Sequence, residues 1–387
     1  MVMLLNTLVV MVAMPLHHRT IIITRRPVKI PAGANHITIT AGDFFGSDSI
    51  SDQDLRKLYN RARAVIVPGV TSVSAASAAV STPLVQGDQV LTILPGTLPA
   101  EELPEAIAGA EVLFAYDFFS TAIPDAWPAA DALEWIHVAS TGVDAILSPE
   151  VRDSDVVLTN SRGVFDASIA EYVLAQVLAF AKDLPQSTRL QQAHRWVHRE
   201  SERVAGTRAL VVGTGQIGRA IARLLRAVGV EVSGSGRRAR DDDPDFGTVT
   251  AQEDLHHALA AADWVVCIAP LTDATRGMFD AAAFRAMPDH ARFINVGRGE
   301  SVVTDDLVDA LRSGTIAGAA LDVFDTEPPD PADPIIGHPN VLATPHVAYL
   351  SDATTRGYIV AQAQNVVQWM QTGTPVLTVN DPVVPVS

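Results

Sequence analysis

The sequence predicts an α/β protein of two domains built on parallel sheets, and three observations predict it. At 387 residues the chain is longer than one hydrophobic core usually organises. From about Ala64 onward, short apolar runs alternate with helix-forming stretches, the pattern of strands joined by crossover helices. The alternation occurs as two series, separated by one long apolar helix that stops before Pro185.

The first series reads as strands at 64–68 (AVIVP), 89–94 (QVLTIL), 111–117 (EVLFAYD), 133–140 (LEWIHVAS) and 155–161 (DVVLTNS). A helix at 99–109 falls among them, and the long helix covers 168–184. The second series has strands at 208–213 (RALVVG), 231–235 (EVSGS), 263–269 (DWVVCIA), 292–297 (RFINVG), 316–323 (IAGAALDV) and 340–344 (NVLAT). A last helix is expected at 352–371, before Gly373, and the chain returns there to the first domain. The expected boundaries are an N-terminal extension at 1–60, a first domain at 61–185, a second at 186–347 and the return at 348–387. The acidic and proline-rich pieces 241–245 (DDDPD) and 325–334 (DTEPPDPADP) read as solvated loops.

Composition excludes several classes. A net charge of −16 repels phosphate backbones, so nucleic acid is not an expected partner. Only three lysines occur (Lys29, Lys57 and Lys182), which leaves little material for Schiff-base chemistry. The single cysteine, Cys267, forms no internal disulfide and suits a reducing, cytoplasmic setting. Residues 1–16 are nearly all apolar, yet shorter than the roughly 20 residues of a membrane helix. They also lack the charged start and small-residue cleavage site of a signal peptide. Residues 1–30 are read as a tail outside the fold, and no membrane partner is expected. His194 and His198 stand four apart on an expected helix with no third ligand near, so no metal site is assigned.

The most specific motif is Gly213-Thr214-Gly215-Gln216-Ile217-Gly218, which fits G-x-G-x-x-G. It follows the apolar run ALVV and opens a helix with Ile217, Ile221, Leu224, Leu225 and Val228 on one face. That strand–turn–helix context identifies a dinucleotide-binding, Rossmann-type unit. Gly213 permits the turn, Gly215 admits the pyrophosphate, and Gly218 lets helix and strand pack closely. Gln216 and Ile217 begin the helix whose free N–H groups face the phosphates. An NAD site places Asp or Glu at the end of the next strand, about 20 residues on, to bind the ribose 2′-hydroxyl. Ser235-Gly236-Arg237-Arg238 stands there instead. Two guanidinium groups without a carboxylate suit a 2′-phosphate, so Arg237 and Arg238 favour NADP(H) over NAD(H).

Three segments at strand ends of the second domain carry candidate chemistry: INVGRGE (294–300), ALDVFDTEPP (320–329) and LATPHVA (342–348). Ligands of doubly wound sheets sit outside the carboxyl ends of the strands, so all three can converge on one cleft. Together with GTGQIGRAIARLLRAVG and NVGRGESVVTDDLVDAL, these segments resemble the D-isomer-specific 2-hydroxyacid dehydrogenases, over about residues 89–376. The resemblance implies a Rossmann domain inserted in a flavodoxin-like substrate domain, and a homodimer. It implies hydride transfer between NADP(H), or NAD(H), and a 2-oxoacid/D-2-hydroxyacid pair.

By the same resemblance His346 is the general acid/base, a role suited to imidazole, which exchanges protons near neutral pH. Glu327 holds the imidazole and stabilises its charged form. Arg298 grips the substrate carboxylate and polarises the 2-oxo group. The loop containing Ser140, Thr141 and Gly142 resembles the family's carboxylate-binding loop. Ala269, Pro270 and Asp322 match positions lining the nicotinamide. Glu327 argues against the relatives that pair a glutamine with the histidine. The competing reading is a non-catalytic, dinucleotide-sensing protein on the same fold, of the corepressor kind.

Overall fold

The computed structural model describes residues 20–24, 82–86, 89–93, 103–110, 112–115, 122–138 and 140–351. The chain forms two compact units, Met1–Val164 with Thr355–Ser387, and Phe165–Thr354. The expected strand at 64–68 and the expected helix at 352–371 lie outside the described residues.

The first unit holds a six-stranded sheet of β1 (Thr20–Thr24), β2 (Thr82–Gln86), β3 (Gln89–Ile93), β4 (Val112–Ala115), β5 (Trp135–Val138) and β6 (Val157–Asn160). Its order is β2-β3-β1-β4-β5-β6. Only β4, β5 and β6 run parallel; β1 pairs antiparallel with both β3 and β4. Two expectations are corrected here. Thr20–Thr24, set aside with the tail, is an inner strand of the sheet, and the sheet is mixed where a fully parallel one was expected. The sequence TIIIT has the β-branched content a buried strand needs, but no turn signals frame it.

Beneath β5 lies a polar cluster within the core. Trp135 Nε1 donates to Thr159 Oγ1 at 2.8 Å, and His137 Nδ1 meets the same oxygen at 2.8 Å. Burial pushes the His137 imidazole down to about 3, so it stays neutral in the folded chain. An unfolded histidine takes up its proton near pH 6.5, so the unfolded state binds more protons as pH falls from there. Stability from this site is therefore complete above about pH 6.5 and declines toward pH 3, by up to about 1.4 kcal/mol per pH unit. Urea melts across pH 4 to 7 should show this slope in the wild type and lose it in His137→Gln.

The second unit begins with α1 (Asp166–Ala181), which packs along α2 (Gln216–Ala227). The expected boundary after residue 185 put this helix with the first series of strands, and it packs here along α2. Its eight-stranded sheet comprises β7 (Arg208–Val212), β8 (Glu231–Gly236), β9 (Arg240–Asp243), β10 (Gly247–Ala251), β11 (Trp264–Cys267), β12 (Arg292–Asn295), β13 (Gly318–Leu321) and β14 (Val341–Ala343). The order is β14-β13-β12-β11-β7-β8-β10-β9, parallel except for the β9–β10 pair. The strand order therefore reverses between β7 and β11, the switch point where doubly wound sheets open a crevice.

The β9–β10 hairpin is a further correction, because 241–245 read as a solvated loop. Asp243 is buried and takes both guanidinium nitrogens of Arg219 at 2.9 Å, while Arg240 Nε reaches it at 2.7 Å. The Arg219 hydrogen bonds hold its carboxyl far below the usual carboxylate range. His194 also departs from expectation: the helix ends at Gln192, so His194 and His198 do not share a helix face. Among the described residues no group of three His, Cys, Asp or Glu side chains is placed to hold a metal. No described helix is long and apolar enough to cross a membrane.

Candidate active site

The sheet's hydrogen-bond ladder continues one residue beyond each central strand, and this fixes the loops that carry the candidate residues. Gly213 N donates to Ser235 O at 2.9 Å, and Ile268 N to Val212 O at 2.9 Å. Val296 N donates to Cys267 O, Asp322 N to Asn295 O and Thr344 N to Leu321 O, at 3.0, 3.0 and 2.9 Å. The glycine turn and the Ala269, Arg298, Asp322 and His346 segments thus leave the same edge of the sheet.

The glycine turn flanks the switch point. Gly213 has φ +113°, and a Cβ there would stand 2.6 Å from Ile268 O. A Cβ on Gly218 would run into the Gly213 carbonyl, so helix α2 can lie this close only with glycine. Gly215, by contrast, faces open space. It is the N-cap of α2 and no side chain caps the helix, which leaves the N–H groups around Gln216 and Ile217 directed outward. Beside this turn the buried Ser235 hydroxyl has no partner. An open glycine, uncapped amides and an orphaned hydroxyl fit a dinucleotide's phosphate and ribose. Arg237 and Arg238 follow β8 and are exposed. Ala269 is buried at the end of β11 and Pro270 is exposed beside it.

Arg298 leaves β12 in extended conformation with its side chain half-buried. Asn295 clamps the loop: its amide nitrogen donates to Arg298 O at 2.9 Å and its amide oxygen accepts from Gly297 N at 3.0 Å. The Arg298 Nη1 donates to Gly297 O at 2.9 Å. Any side chain on Gly299 would run into the backbone of Phe324 and Asp325, so this glycine brings the Arg298 loop against the Glu327 loop.

Glu327 and His346 meet directly, with His346 Nδ1 2.8 Å from Glu327 Oε2. The other carboxylate oxygen accepts from Phe324 N at 2.9 Å. Partial burial pushes the Glu327 carboxyl up. The His346 hydrogen bond and charge, the Phe324 amide and the Arg298 charge outweigh it and hold the group below its ordinary value. It is an anion aimed at the imidazole.

His346 adopts φ +53°, a left-handed conformation that costs a non-glycine residue about 1–3 kcal/mol. Asp322 supplies what holds it there. Its carbonyl accepts from His346 N at 2.8 Å. Its buried carboxylate accepts from Thr344 Oγ1 at 2.6 Å, Val347 N at 2.9 Å and Ala348 N at 2.8 Å. Asp322, which is expected to line the nicotinamide, also braces the turn beneath the histidine. Tyr172 on α1 meets Thr344 Oγ1 at 2.5 Å, and burial leads the causes that push its phenol up to about 12. Tyr349 stands edge-on to the His346 ring, 5.8 Å between centroids. Sequence reasoning missed Asn295, Thr344, Tyr172 and Tyr349; their contacts run to backbone or to distant loops and leave no spacing signature.

In the first unit, the 140–142 loop follows β5. Ser140 Oγ donates to Gly142 O, and Asn160 Nδ2 on β6 donates to Thr141 O at 2.6 Å. The Thr141 hydroxyl is buried without a partner.

The family model described as D-isomer specific 2-hydroxyacid dehydrogenase, NAD binding domain, matches residues 174–348. A second model, described as tetrapyrrole (corrin/porphyrin) methylases, matches residues 27–136, most of which lie outside the described residues. The human glyoxylate reductase/hydroxypyruvate reductase is 31% identical over 277 residues, covering 69% of this chain and 83% of the relative. A D-isomer specific 2-hydroxyacid dehydrogenase family protein of Klebsiella pneumoniae superposes with a TM-score of 0.63 at 31% identity, over 73% of this chain and 88% of that one. The NADPH-dependent glyoxylate/hydroxypyruvate reductase of Sinorhizobium meliloti, solved with NADP and sulfate, gives 0.61 at 29% identity, over 70% and 84%. Sequence likeness of this extent, on a sheet edge that assembles a nucleotide turn beside an Arg–Glu–His group, places the chain in the family of D-isomer-specific 2-hydroxyacid dehydrogenases, NAD(P)-dependent oxidoreductases.

Proposed function

We propose that the chain reduces a small 2-oxoacid to the D-2-hydroxyacid, with NADP(H) preferred over NAD(H), and that His346 carries the proton. The observation that carries this reading is the 2.8 Å His346–Glu327 pair, which shares its sheet edge with Arg298 and the glycine turn. The bound dinucleotide supplies the hydride. Arg298 holds the substrate carboxylate by its planar fork and draws charge from the 2-oxo group. His346 donates a proton to the carbonyl oxygen as it becomes an alkoxide, and Glu327 stabilises the imidazolium form that does so. Gly213, Gly215, Gln216, Ile217 and Gly218 hold the pyrophosphate, with Ala269 and Pro270 beside the nicotinamide. Arg237 and Arg238, exposed and beyond a strand end with no acidic residue, take the 2′-phosphate.

In the first unit, Ser140, Thr141 and Gly142 keep the role of a carboxylate-binding loop. The unpartnered Thr141 hydroxyl supports this. The corepressor-like alternative shares the fold but has no need of a Glu327 anion held against His346.

An absorbance assay at the nicotinamide band, run with glyoxylate, hydroxypyruvate and bulkier 2-oxoacids, tests the reading. Turnover is expected, faster with NADPH than with NADH. Cofactor binding with no turnover on any 2-oxoacid would favour the sensor, and an NADH preference would overturn the assignment of Arg237 and Arg238.

The reading also includes a homodimer in a reducing, cytoplasmic setting. Trp196 is fully exposed at 101%, and its sequence neighbour Val197 is exposed as well, an apolar pair that a second copy would cover. Trp196→Glu is expected to shift the chain from dimer toward monomer in sedimentation equilibrium. An unchanged mass would reject this surface.

A further inference from the structure

Strand β8 ends in two glycines on one face, Gly234 and Gly236, and Thr214 from the glycine turn sits over both. A Cβ on Gly236 would lie 2.8 Å from Thr214 Oγ1 and 3.5 Å from Thr214 Cγ2. A Cβ on Gly234 would lie 2.9 Å from Thr214 Cγ2 and 3.1 Å from the Phe246 ring. Both branches of the threonine are therefore in use, one over each glycine. Thr214 is β-branched and stiff about χ1, unlike the free end of a long side chain that moves aside cheaply. Phe246 is itself fixed. It is 1% exposed, and Arg219 lies over its ring at 5.4 Å while gripping Asp243 and Asp245 at 2.9 and 2.8 Å.

Gly236 occupies the end of the strand where an NAD site carries its acidic residue. We propose that Thr214 is a specificity-determining residue: by filling the space over Gly236 it bars any side chain there, including a carboxylate that would bind a ribose 2′-hydroxyl. Nucleotide recognition is then left to the cations that follow, Arg237 and Arg238. The proposal deepens the NADP(H) reading above and rests on it. It makes selectivity depend on a residue of the glycine turn as well as on the residues at the end of β8.

The test has two arms on the full chain. In the first, thermal melts without cofactor compare wild type, Gly236→Ala, Thr214→Ala and the double variant. Gly236→Ala is expected to lower Tm by several degrees, and the same change in the Thr214→Ala background to cost far less. Equal losses in both backgrounds would overturn the contact. In the second arm, nicotinamide fluorescence titrations without substrate measure NADPH and NADH affinity. Wild type is expected to bind NADPH more tightly. Gly236→Asp should lose NADPH affinity and gain none for NADH, whereas Thr214→Ala with Gly236→Asp should bind NADH about tenfold more tightly than Gly236→Asp alone. Equal NADH affinity in those two variants would overturn the proposal. If Gly236→Asp fails to fold, the alanine cycle still decides the contact. A wild-type preference for NADH would defeat the NADP(H) reading and with it the selectivity role, and the melts would separately report whether the contact exists.

Discussion

Replacing His346 with alanine is expected to lower kcat by about a thousandfold while leaving dinucleotide affinity nearly unchanged. Proton transfer by a positioned side chain contributes roughly 10²–10⁴-fold to a reaction of this kind. Several structural features direct that contribution to one imidazole. The backbone of residue 346 is held left-handed by Asp322, its ring is oriented by the Glu327 carboxylate at 2.8 Å, and Tyr349 bounds it edge-on. With Nδ1 held by Glu327, the proposed proton transfer is assigned to Nε2. The glycine turn follows β7 whereas His346 follows β14, so nucleotide affinity is expected to be independent of the substitution. Steady-state kinetics with a 2-oxoacid found active in the panel, together with a fluorescence titration of the cofactor, separates the two quantities. A variant keeping more than about a tenth of kcat would remove His346 from the acid/base role.

Arg298→Lys is expected to reduce kcat/KM by about 10²–10³-fold although the charge is kept. A guanidinium presents parallel donors in one plane to a carboxylate, whereas an ammonium acts as a point charge on a flexible stem. The loop is built to aim that plane. Asn295 clamps it from both sides and Gly299 lets it seat against Phe324. Lysine inherits the loop but not the fork, so both binding and polarisation of the 2-oxo group should weaken. A substrate amide in place of the carboxylate should lose most of its rate with the wild type and little more with the variant. Unchanged discrimination between acid and amide in Arg298→Lys would show that the carboxylate is held elsewhere.

The parts legible in the sequence were those where burial writes its own pattern. Strands β7 and β11 to β14 announce themselves as apolar runs because a parallel sheet covered on both faces needs them. The glycine turn was legible for a related reason: Gly213 and Gly218 admit no side chain, and Gly215 between them keeps the backbone open, which forces a spacing. The β9–β10 hairpin was not legible. Its strand RDDD is acidic, and the distant Arg219, joined by Arg240, turns Asp243 from a solvated charge into a buried partner. The inner position of β1 was hidden too, since antiparallel pairing with strands far along the chain leaves no local mark. At the site, Arg298, Glu327 and His346 could be named from their segments. The contacts of Asp322 beneath His346 could not, because they run to backbone amides of a turn whose shape appears only when the sheet is assembled.

Because β12, β13 and β14 are adjacent, the sheet also sets a length scale. Neighbouring strands stand about 4.8 Å apart, so the backbone stations that issue Arg298 and His346 begin roughly 10 Å from each other, with the Asp322 station midway. Two side chains reaching inward from such stations leave a gap of only a few heavy atoms. The sheet therefore acts as a gauge. Under the proposed reaction that spacing suits a carboxylate and its neighbouring carbonyl, and anything the substrate carries beyond C2 is left to other parts of the protein.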